Sequence, residues 1–285
     1  MVCNCFLVGD IDAEEGKMEK TETKKKRKWP RVLLIIFLII GTFAAYIVYR
    51  GSRNMDAMDK ALDSGMEMLS KYAAVKETDP GEYKQIKMYG VMKFDVSQYD
   101  VEEIGNLSVM KTNMGFMQMV SFVITPYEKN MPMLSMDFMY ILGKRKAYVE
   151  YYDLVADKKT PEYREVIDTL RKFEGRYINA EDIETKPAWY DKYLTIALHK
   201  AYSHDDDEDV QRLFSEAVRY YMEAAENVEK LSPEERERKL AITQKYCDDL
   251  VRQGGVSTDV FKKSLGEKKT KDFFNKVMFG PELYS

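Results

Sequence analysis

Eighteen consecutive residues without a charge, VLLIIFLIIGTFAAYIVY at 32–49, constrain this chain more than any other feature of it. As an α-helix the run spans roughly 27 Å, near the hydrocarbon thickness of a bilayer. Its flanks suit a membrane better than a soluble core. KKKRKWPR precedes it, and Trp29 and Tyr49 stand where interfacial aromatics gather. The run is too long for the apolar region of a signal peptide, and no small-residue cleavage site follows it. The expectation is a basic N-terminal tail (1–31) and a single-pass transmembrane helix (32–49). Lys24, Lys25, Lys26, Arg27, Lys28 and Arg31 precede the span, whereas Arg50, Arg53 and Lys60 follow it. That asymmetry predicts a cytoplasmic N-terminus and a large extracytoplasmic domain. Met18 is a second candidate start, and its use would remove Cys3 and Cys5.

The rest of the 285-residue chain reads as globular: 45% hydrophobic and 32% charged residues leave enough apolar surface for a core. A net charge of −4 gives a nucleic-acid partner no global electrostatic support. Three cysteines cannot build a disulfide framework, and two histidines, His199 and His204, exclude a histidine-rich metal site. No G-x-G-x-x-G, Walker loop, H-E-x-x-H or G-x-S-x-G is present, so nucleotide-dependent and hydrolytic chemistry have no motif.

After the span, Met58, Leu62, Met66, Leu69 and Tyr72 recur at helical spacing, which predicts an amphipathic helix ending near TDPGEY. Segments near Gln85–Phe94, Ile104–Lys111, Phe116–Thr125, Pro132–Leu142 and Arg145–Asp153 are rich in Met, Val, Tyr and Phe, with short connections between them. They predict an antiparallel meander. From Thr160 onward the pattern predicts helices. Thr160-Pro161 and Ser232-Pro233 are N-terminal signals, and Gly254 and Gly266 are stops. Strands followed by helices imply an α+β domain with a central antiparallel sheet covered by helices.

Asp137 is the residue that asks for an explanation. In NMPMLSMDFMYILG (130–143) strand alternation puts it on one face with Met133, Ser135, Met139 and Ile141. A carboxylate on so apolar a surface must be hydrogen-bonded, paired or held protonated. The residues alone leave open a satisfied buried acid and a proton donor. The methionines between Met88 and Met139 likewise read either as an adaptable core or as the lining of a pocket for a broad, flat ligand. HDDDEDV (204–210) reads as a solvated helix start rather than a cation site, and the basic clusters GKRK and EKKTK as solvated faces.

Two stretches resemble the ferredoxin-dependent bilin reductase family. TPYEKNMPMLSMDF (125–138) is similar to the family's loop and strand bearing the central catalytic aspartate. DVFKKSLGEKKTKDFFNKVMFG (259–280) is similar to its closing helices. The resemblance covers about Lys84 to Gly280. It implies an α/β/α sandwich over 84–285, preceded by a linker and amphipathic helix (50–83). It further implies a linear tetrapyrrole bound between sheet and C-terminal helices, and no permanently bound cofactor or metal. Electrons would come from reduced ferredoxin or flavodoxin, and Asp137 would be the catalytic proton donor.

The sequence departs from that family at two places. Where many members carry a histidine on the strand before the aspartate, MVSFVI offers Val120 or Ser121, and no histidine is expected in the strands. Where several carry an acid before the C-terminal helices, Gly254 or Gly255 stands. The alternative expectation is a membrane-anchored, non-catalytic ligand- or protein-binding domain of the same fold, exposed outside the cytoplasm. A cell-envelope scaffold without a small ligand is a third.

Overall fold

The computed structural model describes residues 29–90 and 92–285, and the readings on Met18, Cys3 and Cys5 fall outside them. The chain divides into two compact units, Met1–Phe43 and Ala44–Ser285. Helix α1 (Trp29–Leu69) is long and apolar enough to cross a membrane. Its most apolar 18-residue stretch averages a hydropathy of 2.7, with none of it buried. Further along α1, Met58, Ala61, Leu62 and Leu69 are buried at helical spacing, so this part of the helix is a core element of the second unit.

A nine-stranded antiparallel sheet forms the middle layer. Its strands are β1 (Val75–Thr78), β2 (Gln85–Met88), β3 (Met92–Val101), β4 (Gly105–Asn113), β5 (Met117–Pro126), β6 (Met133–Ile141), β7 (Lys144–Tyr152), β8 (Glu181–Asp182) and β9 (Leu194–Ser203). They run in the order β1-β3-β4-β5-β6-β7-β9-β8, and β2 pairs with the other half of the β3 edge. The expected meander is therefore present from β3 to β7. The expected strand Gln85–Phe94 is broken by a hairpin turn at Tyr89 and Gly90, both at positive φ (51° and 72°).

Alternation along each strand makes two cores. Phe122, Leu134, Met136, Phe138, Val149 and Leu198 face α1, α2 (Pro161–Arg176) and α3 (Asp207–Glu226). Phe94, Val96, Met110, Val123 and Met133 face the opposite layer of α4 (Pro233–Gln253), α5 (Val256–Leu265) and α6 (Glu267–Phe273). The result is an α/β/α sandwich, as the sequence leads one to expect. Phe214 of α3 sits edge-on to Phe122 at 5.4 Å and against Phe138 at 4.9 Å. Gly65 of α1 leaves room for that ring, since a Cβ there would lie 2.4 Å from Phe214 Cε1.

The helix signals hold locally. Thr160 caps α2 through Tyr163 N–H, Ser232 and Glu235 form a capping box on α4, and Gly254 and Gly266 end α4 and α5 at positive φ. After α6 the chain forms a π-helical turn, Phe274–Met278. Its freed carbonyls are collected by the sheet: Gln98 donates to Lys276 O, Asn106 to Val277 O and Ser108 to Met278 O.

Three expectations need correction. The segment after Thr160 is not helical throughout, because LTIALHKAYS (194–203) is β9, a ten-residue strand paired with β7 and flanked on its other side by the two-residue β8. GKRK is not a solvated cluster either. Arg145 is only 2% exposed, stacks on Tyr140 at 4.7 Å and donates to both Asp207 oxygens at 2.6 and 3.1 Å. Asp207, in the middle of the acidic run and the first residue of α3, is thus the counter-ion of a buried guanidinium rather than a free helix-start charge.

Candidate functional site

Antiparallel partners share a face, so register alone builds the site. Ser121 on β5 pairs with Asp137 on β6, Asp137 with Tyr148 on β7, and Tyr148 with His199 on β9. The four form one row across four strands, on the face covered by α4–α6. This corrects the expectation that no histidine lies in the strands. Alternation in LTIALHKAYS was the available signal: Ile196, Leu198 and Lys200 are buried toward α2 and α3, which turns His199 to the Asp137 side.

Glu150, two residues beyond Tyr148, completes a polar cluster. Its Oε1 lies 2.7 Å from His199 Nε2, and its Oε2 accepts from Tyr152 OH at 2.6 Å. His199 Nδ1 is 3.4 Å from Thr185 Oγ1, and the Tyr148 and His199 rings are 5.1 Å apart. Among the described residues, no group of three or more His, Cys, Asp or Glu side chains is placed to hold a metal ion.

Asp137 is densely surrounded by protein yet keeps part of its surface open. Burial pushes its carboxyl up from 3.8 to about 6; the Ser121 hydroxyl works against that rise and the Glu150 charge adds to it. Its neighbours on that face of the sheet are apolar. Met117 pairs with Ile141 and Met119 with Met139, all half-buried on the Asp137 face. Other methionines are core: Met131 and Met136 in one layer, Met88, Met110 and Met133 in the other.

An aromatic cluster packs in the layer on the same side of the sheet. Trp189, Tyr190 and Tyr193 come from a short 3₁₀ turn before β9, and the Tyr246 ring from α4 packs tilted against Tyr152 at 5.6 Å. The Trp189 indole N–H donates to Gly254 O at 2.8 Å, tying the turn to the end of α4. Gly254 lies beside an acid from the next helix: a Cβ on it would meet Asp259 Oδ1 at 2.6 Å.

This architecture is found elsewhere. The structure is similar to that of phytochromobilin synthase from tomato in complex with biliverdin, with a TM-score of 0.65. The chain has the fold of a bilin reductase. The likeness covers 78% of this chain and 83% of the synthase at 13% identity, so it is one of fold. No family model matches the sequence, and no curated protein sequence matches it. The large antiparallel sheet flanked by helices is consistent with that fold.

Proposed function

We propose that this chain binds a linear tetrapyrrole on the open, methionine-floored face of the sheet beneath α4–α6, with Asp137 as proton donor to the bound pigment. One observation carries the reading. A part-exposed acid poised near neutral pH stands in mid-sheet in a fold that phytochromobilin synthase presents in complex with biliverdin. A carboxyl with a pKa of about 6 is part protonated near neutrality, so it can hydrogen-bond a pyrrole group and give up its proton. Reduction of one double bond takes two electrons and two protons. In this proposal reduced ferredoxin or flavodoxin supplies the electrons singly, and Asp137 supplies one of the protons.

The apolar run 32–49 is proposed as a single-pass anchor, with the N-terminus cytoplasmic. An impermeant thiol reagent applied to intact cells, against a cysteine placed at Lys268, reports on which side the domain lies. The second reading, a domain that binds without reducing, is favoured by Val120 or Ser121 where many members of the family carry a histidine and by Gly254 or Gly255 where several carry a second acid.

The deciding experiment is titration of the full chain in detergent micelles with biliverdin. A shifted and intensified long-wavelength absorption band supports the proposal, whereas an unchanged spectrum removes both the enzyme and the bilin-binder readings. Reduced ferredoxin then separates those two. Loss of the bound pigment's band, suppressed in Asp137→Asn, supports reduction; a band that persists leaves binding alone.

A further inference from the structure

The turns at one end of the sheet carry side chains that water does not favour. The β4–β5 turn reads Met114-Gly115-Phe116, and Phe116 is 50% exposed at its tip. At the β2–β3 turn Tyr89 is 54% exposed. The β6–β7 turn contributes half-buried Leu142, whose N–H donates to Phe116 O at 3.1 Å. Surface turns are ordinarily built from polar residues and glycine. Three neighbouring turns that present Tyr, Phe and Leu form an apolar edge.

Helix α1 shows where that edge lies. A Cβ on Gly51 would come 2.6 Å from the Gly115 carbonyl oxygen, and one on Gly115 would meet Ile47 Cγ2 at 3.9 Å. The β4–β5 turn therefore lies level with Ile47–Gly51, where the charge-free run ends at Tyr49. A span that begins at Val32 reaches the lipid headgroups at about Ile47–Tyr49. Whatever touches Ile47 and Gly51 is then at the headgroups too.

We propose that Phe116 and Tyr89 insert into the headgroup region of the bilayer that holds α1, so that the sheet stands on the membrane by its β2–β7 turns. This rests on reading 32–49 as a membrane span. The occupant is lipid rather than a protein groove partner, because the aromatics stand singly on convex turn tips. The contact is apolar, not electrostatic. The acidic turn His204–Asp206 adjoins the same edge, with His204 N–H donating to Gly143 O at 2.9 Å, and it would oppose attraction to anionic lipid. The half-buried strip Met117, Met119, Met139 and Ile141 runs from Asp137 to this edge.

The test uses the full chain, with Cys3 and Cys5 changed to Ser, reconstituted in phosphatidylcholine nanodiscs. An environment-sensitive fluorophore is placed in turn through Phe116→Cys, Tyr89→Cys, Glu102→Cys and Ile36→Cys. Glu102 is exposed in the β3–β4 turn at the opposite end of the sheet, and Ile36 lies within the apolar run. Spin-labelled lipid should quench the Phe116 and Tyr89 probes at least about twice as strongly as the Glu102 probe, at low and high salt alike. Quenching at Ile36 with Phe116 and Tyr89 no different from Glu102 overturns the docking proposal and leaves the span standing. No quenching at Ile36 overturns both.

Discussion

Replacing Asp137 by Asn should make the protein more stable at neutral pH, and the size and pH window of that gain follow from the site. The side chains are nearly isosteric, so the substitution removes charge and little else. In the folded chain burial holds the carboxyl at about 6 against 3.8 when unfolded, which costs the ionised form about 3 kcal/mol. Residual solvent access trims this, so about 1–3 kcal/mol is expected at pH 7.5. Below pH 3.8 both folded and unfolded chains are protonated there, and the variant has no advantage. Between 3.8 and about 6 the unfolded acid ionises while the folded one keeps its proton, so wild-type stability falls relative to Asn as pH rises. Above 6 the whole difference is present. Thermal unfolding of wild type and Asp137→Asn in micelles at pH 4, 6 and 7.5, followed by near-ultraviolet circular dichroism, reads it. The Tm gain at pH 7.5 should be about 3–8 °C and should shrink toward zero at pH 4. A variant that is less stable at pH 7.5, or a gain that ignores pH, would show Asp137 to be a satisfied structural acid. An acid whose removal stabilises the fold is held there for what it does.

Two other side chains give equally direct tests. Lys239 on α4 is 1% exposed, donates to Met131 O and Leu154 O at 2.7 and 2.8 Å, and is pushed by burial from 10.5 down to about 7. The unfolded chain therefore binds a proton that the folded one releases, and wild-type stability relative to Lys239→Met should climb between pH 7 and 9 by about 2–3 kcal/mol; guanidinium unfolding that shows a flat difference refutes this. Gly65→Ala drives a methyl into the Phe214 ring and should destabilise by about 1–3 kcal/mol, whereas Gly41→Ala, with open space around it, should leave the unfolding midpoint of the Ala44–Ser285 unit unchanged.

Some of this protein is written in short windows of its sequence. The apolar run, the Thr160 and Ser232 caps, the glycine stops at 254 and 266, and the alternation that turns Asp137 toward Met139 and Ile141 all depend on neighbours within a few residues. Local sterics and hydrophobic periodicity suffice to read them. Tertiary structure decided the rest. His199 meets Glu150, and Arg145 meets Asp207, only because α2 carries the chain from β7 over to β9, making neighbours of strands far apart in sequence. Lys239 likewise finds its two carbonyls on loops of the sheet. No local window encodes such pairings. They arise when a polar group leaves water and must take whichever partner the assembled layers bring within reach.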